Sequence, residues 1–166
     1  MQPELAIIAL GSNLGDSPRF ILRAVARLQD FSSEHLLASS LWQTTPVDCP
    51  TGSPPFINAV AAFKPLPGET PESLLAKLQA LEKEFGRAPK NVVNEARPLD
   101  LDLIAFGGEI RNSPNLVLPH PRSFARRFVL QPLSEITPDL ILPGQSKTVS
   151  QLLAALPPDA GMKRTA

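Results

Sequence analysis

The 166-residue chain is predicted to be an α+β protein with a ferredoxin-like βαββαβ core, an antiparallel sheet with helices packed on it, and a C-terminal extension. Two observations predict it. Apolar runs of strand length alternate with two helix-start signals of the same form, a hydroxyl residue followed by proline, at Ser17-Pro18 and Thr70-Pro71. The second and third runs are read as strands joined by a proline-rich loop, which gives the order β-α-β-β-α-β.

The first strand is read in Leu5 to Leu10 and is ended by the turn sequence Gly11-Ser12-Asn13-Leu14-Gly15. Ser17 is expected to cap a helix whose apolar residues Phe20, Ile21, Ala24, Val25 and Leu28 recur at helical spacing. Leu36 to Thr45 and Phe56 to Lys64 lack that period and are read as strands. Thr70 opens a second helix with Leu74, Leu75, Leu78, Leu81 and Phe85 on its apolar face and Gly86 as its stop. Leu99 to Phe106 is the next strand, turned by Gly107-Gly108 into a hairpin with Glu109 to Arg111. Beyond it lie Leu116 to Leu118, a Pro/Arg-rich segment and a helix over Val149 to Leu156. One domain over residues 1–160 is expected, with a frayed tail from 161 to 166.

Composition removes several function classes. Sixteen Lys plus Arg balance sixteen Asp plus Glu, so a strongly basic nucleic-acid binder is not expected. No apolar run approaches the roughly 20 residues that span a bilayer. The first residues carry no basic signal-peptide region, and the single cysteine, Cys49, excludes an internal disulfide; both fit a cytoplasmic protein. Nineteen prolines are the anomaly. Pro46, Pro50, Pro54 and Pro55, and again Pro114, Pro119, Pro121 and Pro132, are assigned to stiff functional loops.

Beneath the neutral total, residues 86–127 carry seven Lys or Arg against four Asp or Glu. Within that segment stands Arg97-Pro98-Leu99-Asp100-Leu101-Asp102. Residues two apart on a strand share a face, so Asp100 and Asp102 project together while the leucines enter the core. Paired carboxylates suit a hard cation such as Mg²⁺, which is held by one or two carboxylates plus substrate phosphates. Arg87, Arg97, Arg122, Arg126, Arg127 and His120 are the candidates for those phosphates, because no GxxxxGK[ST] or GxGxxG loop is present. Trp42, Phe56 and Phe128 are placed where a planar heterocycle could stack. The residues alone leave open a pyrophosphoryl, phosphoryl or nucleotidyl transferase, or a binding module without catalysis.

In order along the chain, Ala9-Leu10-Gly11-Ser12-Asn13-Leu14-Gly15, Thr44-Thr45-Pro46, Phe56-Ile57-Asn58-Ala59, Glu82 through Gly86-Arg87, Arg97 through Asp102 and Pro119-His120-Pro121-Arg122 resemble the 6-hydroxymethyl-7,8-dihydropterin pyrophosphokinase family over about residues 5–157. The resemblance implies transfer of pyrophosphate from ATP to the pterin hydroxymethyl group, releasing AMP, in folate biosynthesis. It implies two Mg²⁺ ions on Asp100 and Asp102, and ATP contacts from Gln79, Glu82, Arg97, His120 and Arg126. Arg87, Arg97 and Arg126 match catalytic cations. Thr44, Val47 and Asn58 would hold the pterin edge, with Phe56 and Phe128 stacking on its ring. A monomer with no nucleic-acid or membrane partner is expected. The chain departs from the family pattern at Asn94, Phe56, Pro89 and Pro121, where many or some relatives carry Trp, Tyr, Arg and Tyr.

Overall fold

Strand β1 (Ala6–Ser12) is buried on both faces, as its run of small and aliphatic residues requires, and so lies inside the sheet. The computed structural model describes residues 4–13, 16–44, 55–86, 99–157 and 162–165. β1 pairs antiparallel with β4 (Phe56–Phe63) on one side and β5 (Asp100–Phe106) on the other. The sheet runs β5-β1-β4-β3-β8, with β2 (Leu37–Ala38) also on β4. Here β3 is Trp42–Thr44 and β8 is Lys163–Arg164. Strands β1, β4, β3 and β5 with the two helices between them make the ferredoxin-like α+β arrangement expected from the sequence. No helix among the described residues is long and apolar enough to cross a membrane.

Helix α1 (Ser17–Leu28) starts one residue earlier than expected. Asp16, not Ser17, is its cap, accepting a hydrogen bond from Arg19 N at 3.3 Å. Ser17 is buried and its hydroxyl meets that of Ser12 at 3.1 Å. Helix α2 (Pro71–Glu84) begins as read, with Thr70 and Ser73 bonding reciprocally at its first turn, and ends at Gly86 with φ +91°. Ile21, Ala24 and Leu28 of α1 and Leu74, Leu78 and Leu81 of α2 close one apolar layer against Ile8, Leu10, Ala59, Ala61, Leu101 and Leu103.

The other layer contains a helix where the sequence predicts a proline-stiffened loop. Helix α3 (Arg127–Ile136) carries Pro132 in its interior, and Pro132 is buried, not a loop stiffener. Proline in a helix costs about 3 kcal/mol, but Val129, Leu130 and Leu133 are each buried against the sheet, and each such side chain contributes about 1.5–3 kcal/mol. Helix α4 (Val149–Ala154) packs beside it under a Thr148/Gln151 cap and stops short of Leu156.

Three further differences have local causes. The run 36–45 is two strands: Ala38 faces Ala61 but Trp42 faces Asn58, a register slip of one residue, and Ser39 fills the break by accepting from Val60 N at 2.9 Å. Glu109 to Arg111 does not fold back on β5. Instead β6 (Arg111–Asn112) pairs with β7 (Val117–Leu118), because Ser113 and Leu116 close a tighter turn with reciprocal backbone bonds. The tail expected to fray supplies β8: Lys163 and Arg164 pair with Gln43 and Trp42, and Thr165 N donates to Leu41 O at 2.8 Å, covering an otherwise open strand edge.

Candidate active site

Strand alternation sorts the sheet residues onto two faces. Ile8, Leu10, Ile57, Ala59, Leu101 and Leu103 point to α1 and α2. Their neighbours point to α3 and α4, and that face changes character along its length. At one end Ile7, Val60, Ala62, Ile104 and Ala105 meet the α3 and α4 leucines and valines. At the other end the same face presents Asp100 and Asp102 from β5, Ala9 and Gly11 from β1, Phe56 and Asn58 from β4, and Trp42 and Thr44 from β3.

The pairing places these residues in a row. Gly11 stands opposite Asp100 on one side and Asn58 on the other, and Asn58 stands opposite Trp42. With strands about 4.8 Å apart, Asp100 and Asn58 are separated by about 10 Å of floor, and the residue between them has no side chain. A Cβ at Gly11 would lie 3.2 Å from Asn58 Nδ2 and 3.9 Å from Phe56 Cδ1. By sequence Gly11 belongs to a turn and to the family motif; its place in this row is set by the strand register. Thr44 Oγ1 donates to Asn58 Oδ1 at 2.8 Å, fixing the amide so that its nitrogen is turned towards Gly11.

Asp100 and Asp102 are half-buried on the same face, as alternation requires. The strand between them is held from outside the sheet. Glu82 of α2, only 8% exposed, accepts the Leu101 N–H on Oε2 at 2.8 Å. Glu82 thus touches the backbone link between the two aspartates. Gln79, one turn earlier on α2, is exposed. Both belong to the helical layer on the other side of the sheet.

His120 reaches the site through an irregularity. The β1/β5 register shifts between Ile7 and Ile8, so Ile104 faces no residue of β1, and His120 N donates to its carbonyl at 2.8 Å. Arg122 N donates to His120 Nδ1 at 3.3 Å, which places the neutral ring's proton on Nε2. Burial holds the imidazole pKa below its ordinary value, Arg126 and then Arg122 lower it further, and Asp100 opposes them. Arg126, Arg122 and Asp100 therefore each lie within electrostatic reach of His120. The Arg126 guanidinium carbon sits 5.3 Å from the centre of the Phe128 ring, and both residues are half-buried at the start of α3.

Not every candidate converges. Arg127, expected among the phosphate-binding cations, donates instead to the carbonyls of Leu156 and Pro157 and to Gln131 Oε1, tying α3 to the end of α4. Arg122 is exposed. Arg87, Arg97, Val47, Asn94, Pro89 and Cys49 lie outside the described residues. Among the described residues no three His, Cys, Asp or Glu side chains gather as a metal cluster, so a cation here would draw on the Asp100–Asp102 pair. An all-oxygen pair, accessible on one side and beside a cationic segment, suits a hard divalent ion that shares its coordination with phosphate and water.

Residues 7–138 match the family model described as 7,8-dihydro-6-hydroxymethylpterin-pyrophosphokinase (HPPK). The chain belongs to this family. It is 38% identical over 151 residues to the 2-amino-4-hydroxy-6-hydroxymethyldihydropteridine pyrophosphokinase of Pseudomonas aeruginosa, covering 90% of each chain. The Haemophilus influenzae protein of that name is 37% identical over 149 residues, covering 89% of this chain and 90% of its own. The folic acid synthesis protein fol1 of Pneumocystis carinii is 41% identical over 140 residues, 84% of this chain but 18% of that much longer protein. A solved structure described as HPPK-DHPS in complex with substrates superposes with a TM-score of 0.75 at 11% identity, over 98% of this chain and 47% of that one. This last likeness speaks for the fold.

Proposed function

We propose that the polar end of the α3/α4 sheet face is where this HPPK-family chain carries out its family's reaction, the transfer of pyrophosphate from ATP to 6-hydroxymethyl-7,8-dihydropterin in folate synthesis. The observation that carries the reading is the cross-strand row Asp100–Gly11–Asn58–Trp42. It sets a carboxylate pair at one end, a polar hydrogen-bonding pair at the other and an open floor between. Asn58 and Thr44 would read the pterin edge, with Phe56 and Phe128 against its faces. Asp100 and Asp102 would hold Mg²⁺. When bound, the metal neutralises phosphate charge and acidifies the attacking hydroxyl, so the chain needs no strong base of its own.

The remaining work falls to side chains. Attack of the pterin hydroxyl oxygen on the β-phosphorus breaks the bond to the α-phosphate and releases AMP. Such a transfer depends on alignment and charge stabilisation. His120 Nε2–H and the Arg126 guanidinium would be the donors to phosphate oxygens. Arg87 and Arg97 are assigned the same work by resemblance. The protein is expected to act as a monomer in the cytoplasm.

The test is direct. Incubated with ATP, Mg²⁺ and 6-hydroxymethyl-7,8-dihydropterin, the protein should yield AMP and the pterin diphosphate, and chelation of Mg²⁺ should stop the reaction. ADP as the nucleotide product, or undiminished turnover without a divalent cation, would sink the reading.

A further inference from the structure

Outside the residues assigned above, one carboxylate collects an unusual set of donors. Glu135, on the last turn of α3, accepts the Trp42 indole N–H at 2.8 Å and Ser40 N at 3.2 Å on Oε1, and the Ser40 hydroxyl at 2.8 Å on Oε2. The three donors belong to Ser40, just before β3, and to Trp42, its first residue. Trp42 is half-buried, stands opposite Asn58 and lies two residues before Thr44, the hydroxyl that fixes the Asn58 amide. Glu135 follows Phe128 by seven residues, so both lie on one face of α3, about 10 Å apart along its axis. One helix face thus carries an aromatic wall of the site at its first turn and grips the opposite wall's strand at its last.

We propose that Glu135 is a positioning residue for pterin recognition: by holding Trp42 and Ser40 it sets the spacing between the Phe128 wall on α3 and the Thr44–Asn58 wall on β3 and β4. The proposal rests on the assignment of the pterin to this end of the sheet. It follows that disturbing Glu135 weakens the pterin and spares ATP, whose phosphates would sit at the β5 side of the row. A residue that served stability alone would not separate the two ligands.

Trp42 is the chain's single tryptophan, so its emission reports this contact without labelling. The experiment measures, for the wild type, Glu135→Ala, Glu135→Gln and Trp42→Phe, the affinity for a non-hydrolysable ATP analogue with Mg²⁺. It then measures pterin affinity in the presence of that analogue, both by calorimetry. Glu135→Ala should weaken pterin binding about tenfold, as expected for lost hydrogen bonds to a charged group, and shift Trp42 emission to the red. Its ATP-analogue affinity should be unchanged. Glu135→Gln, which keeps one acceptor oxygen, should fall between the two, and guards against a trivial folding defect in the alanine variant. Trp42→Phe should weaken the pterin in the same direction. Wild-type pterin affinity in Glu135→Ala, or equal losses for both ligands, would overturn the proposal. A wild type that binds no pterin overturns the functional reading, and this inference with it; that outcome is separate from a wild type that binds and variants that match it.

Discussion

The two faces of one sheet teach different things about this chain. On the α1/α2 face, the alternate residues of the central strands are apolar from Ala6 and Phe63 to Leu10, Ile57 and Leu101, and Leu101 and Leu103 are buried together with Ile8 and Leu10. On the α3/α4 face the strands start the same way, but past Ile7, Val60 and Ile104 they change to Ala9, Gly11, Asn58, Asp102 and Asp100. Burying polar and charged groups there would cost stability with no packing in return. The uniform face holds the fold together, and the divided face uses it as a platform.

The sharpest way to break that comparison is to mutate neighbours on β5. Asp102→Ala or Asp100→Ala should lower AMP formation by orders of magnitude while leaving thermal stability equal or higher, since a like-charge pair is relieved. Leu101→Ala, between them but on the other face, should lose about 2–5 kcal/mol of stability. Near-wild-type turnover in both aspartate variants at saturating Mg²⁺ would remove the metal assignment. Equal stability losses at all three positions would erase the distinction between the faces.

Glu82 joins the two faces, because an α2 side chain from the apolar layer bonds the backbone between the aspartates. Glu82→Leu leaves a buried N–H without this acceptor and should cost about 1–3 kcal/mol in denaturant unfolding, with kcat falling as the Asp strand loosens. Unchanged stability with a raised KM for ATP alone would show a direct ATP contact and no strand-holding role.

Much of this division was legible in the sequence where one rule sufficed. Alternation put Asp100 and Asp102 on a common face, and proline after a hydroxyl residue marked both helix starts within a residue. What was hidden depended on pairing partners. Gly11 has the same local sequence whether it ends a turn or forms a floor, and only its register with Asp100 and Asn58 distinguishes them. The bulge at Ile104 that anchors His120 leaves no compositional mark. Helix α3 was missed because Pro132 outweighs a ten-residue pattern locally, whereas burial of Val129, Leu130 and Leu133 outweighs Pro132 in the folded chain. Arg127 reads as a phosphate ligand by charge, and only the carbonyls of Leu156 and Pro157 show what it binds.

Gly11→Ala tests the floor with one carbon. The added Cβ would press on Asn58 Nδ2 at 3.2 Å, so the amide must shift by a few tenths of an ångström. Stability should change by about 1 kcal/mol, whereas the KM for the pterin should rise about tenfold through the displaced amide. An unchanged pterin KM would mean that the amide gives way without consequence and that Asn58 is not held as tightly as its bond to Thr44 suggests.

The smallest effect is the most specific, because it reverses sign between the fold and the site. The His120 pKa is depressed by burial and by Arg126 and Arg122, with Asp100 opposing. The unfolded chain, with an ordinary value near 6.5, therefore binds the His120 proton more readily than the folded one. Stability from this residue is present above about pH 6.5 and is lost as pH falls below it. Wild-type Tm should accordingly fall more steeply between pH 7 and pH 5 than that of His120→Asn. Affinity for an ATP analogue should move the other way, since a protonated imidazole among the two arginines attracts the triphosphate more strongly and the phosphate relieves the repulsion that depresses the pKa. In His120→Asn this acid-side gain in ATP affinity should disappear. Parallel pH profiles of Tm in the two proteins would place His120 outside the repulsive set of Arg126 and Arg122. A gain in ATP affinity that survives the substitution would place the titrating group elsewhere.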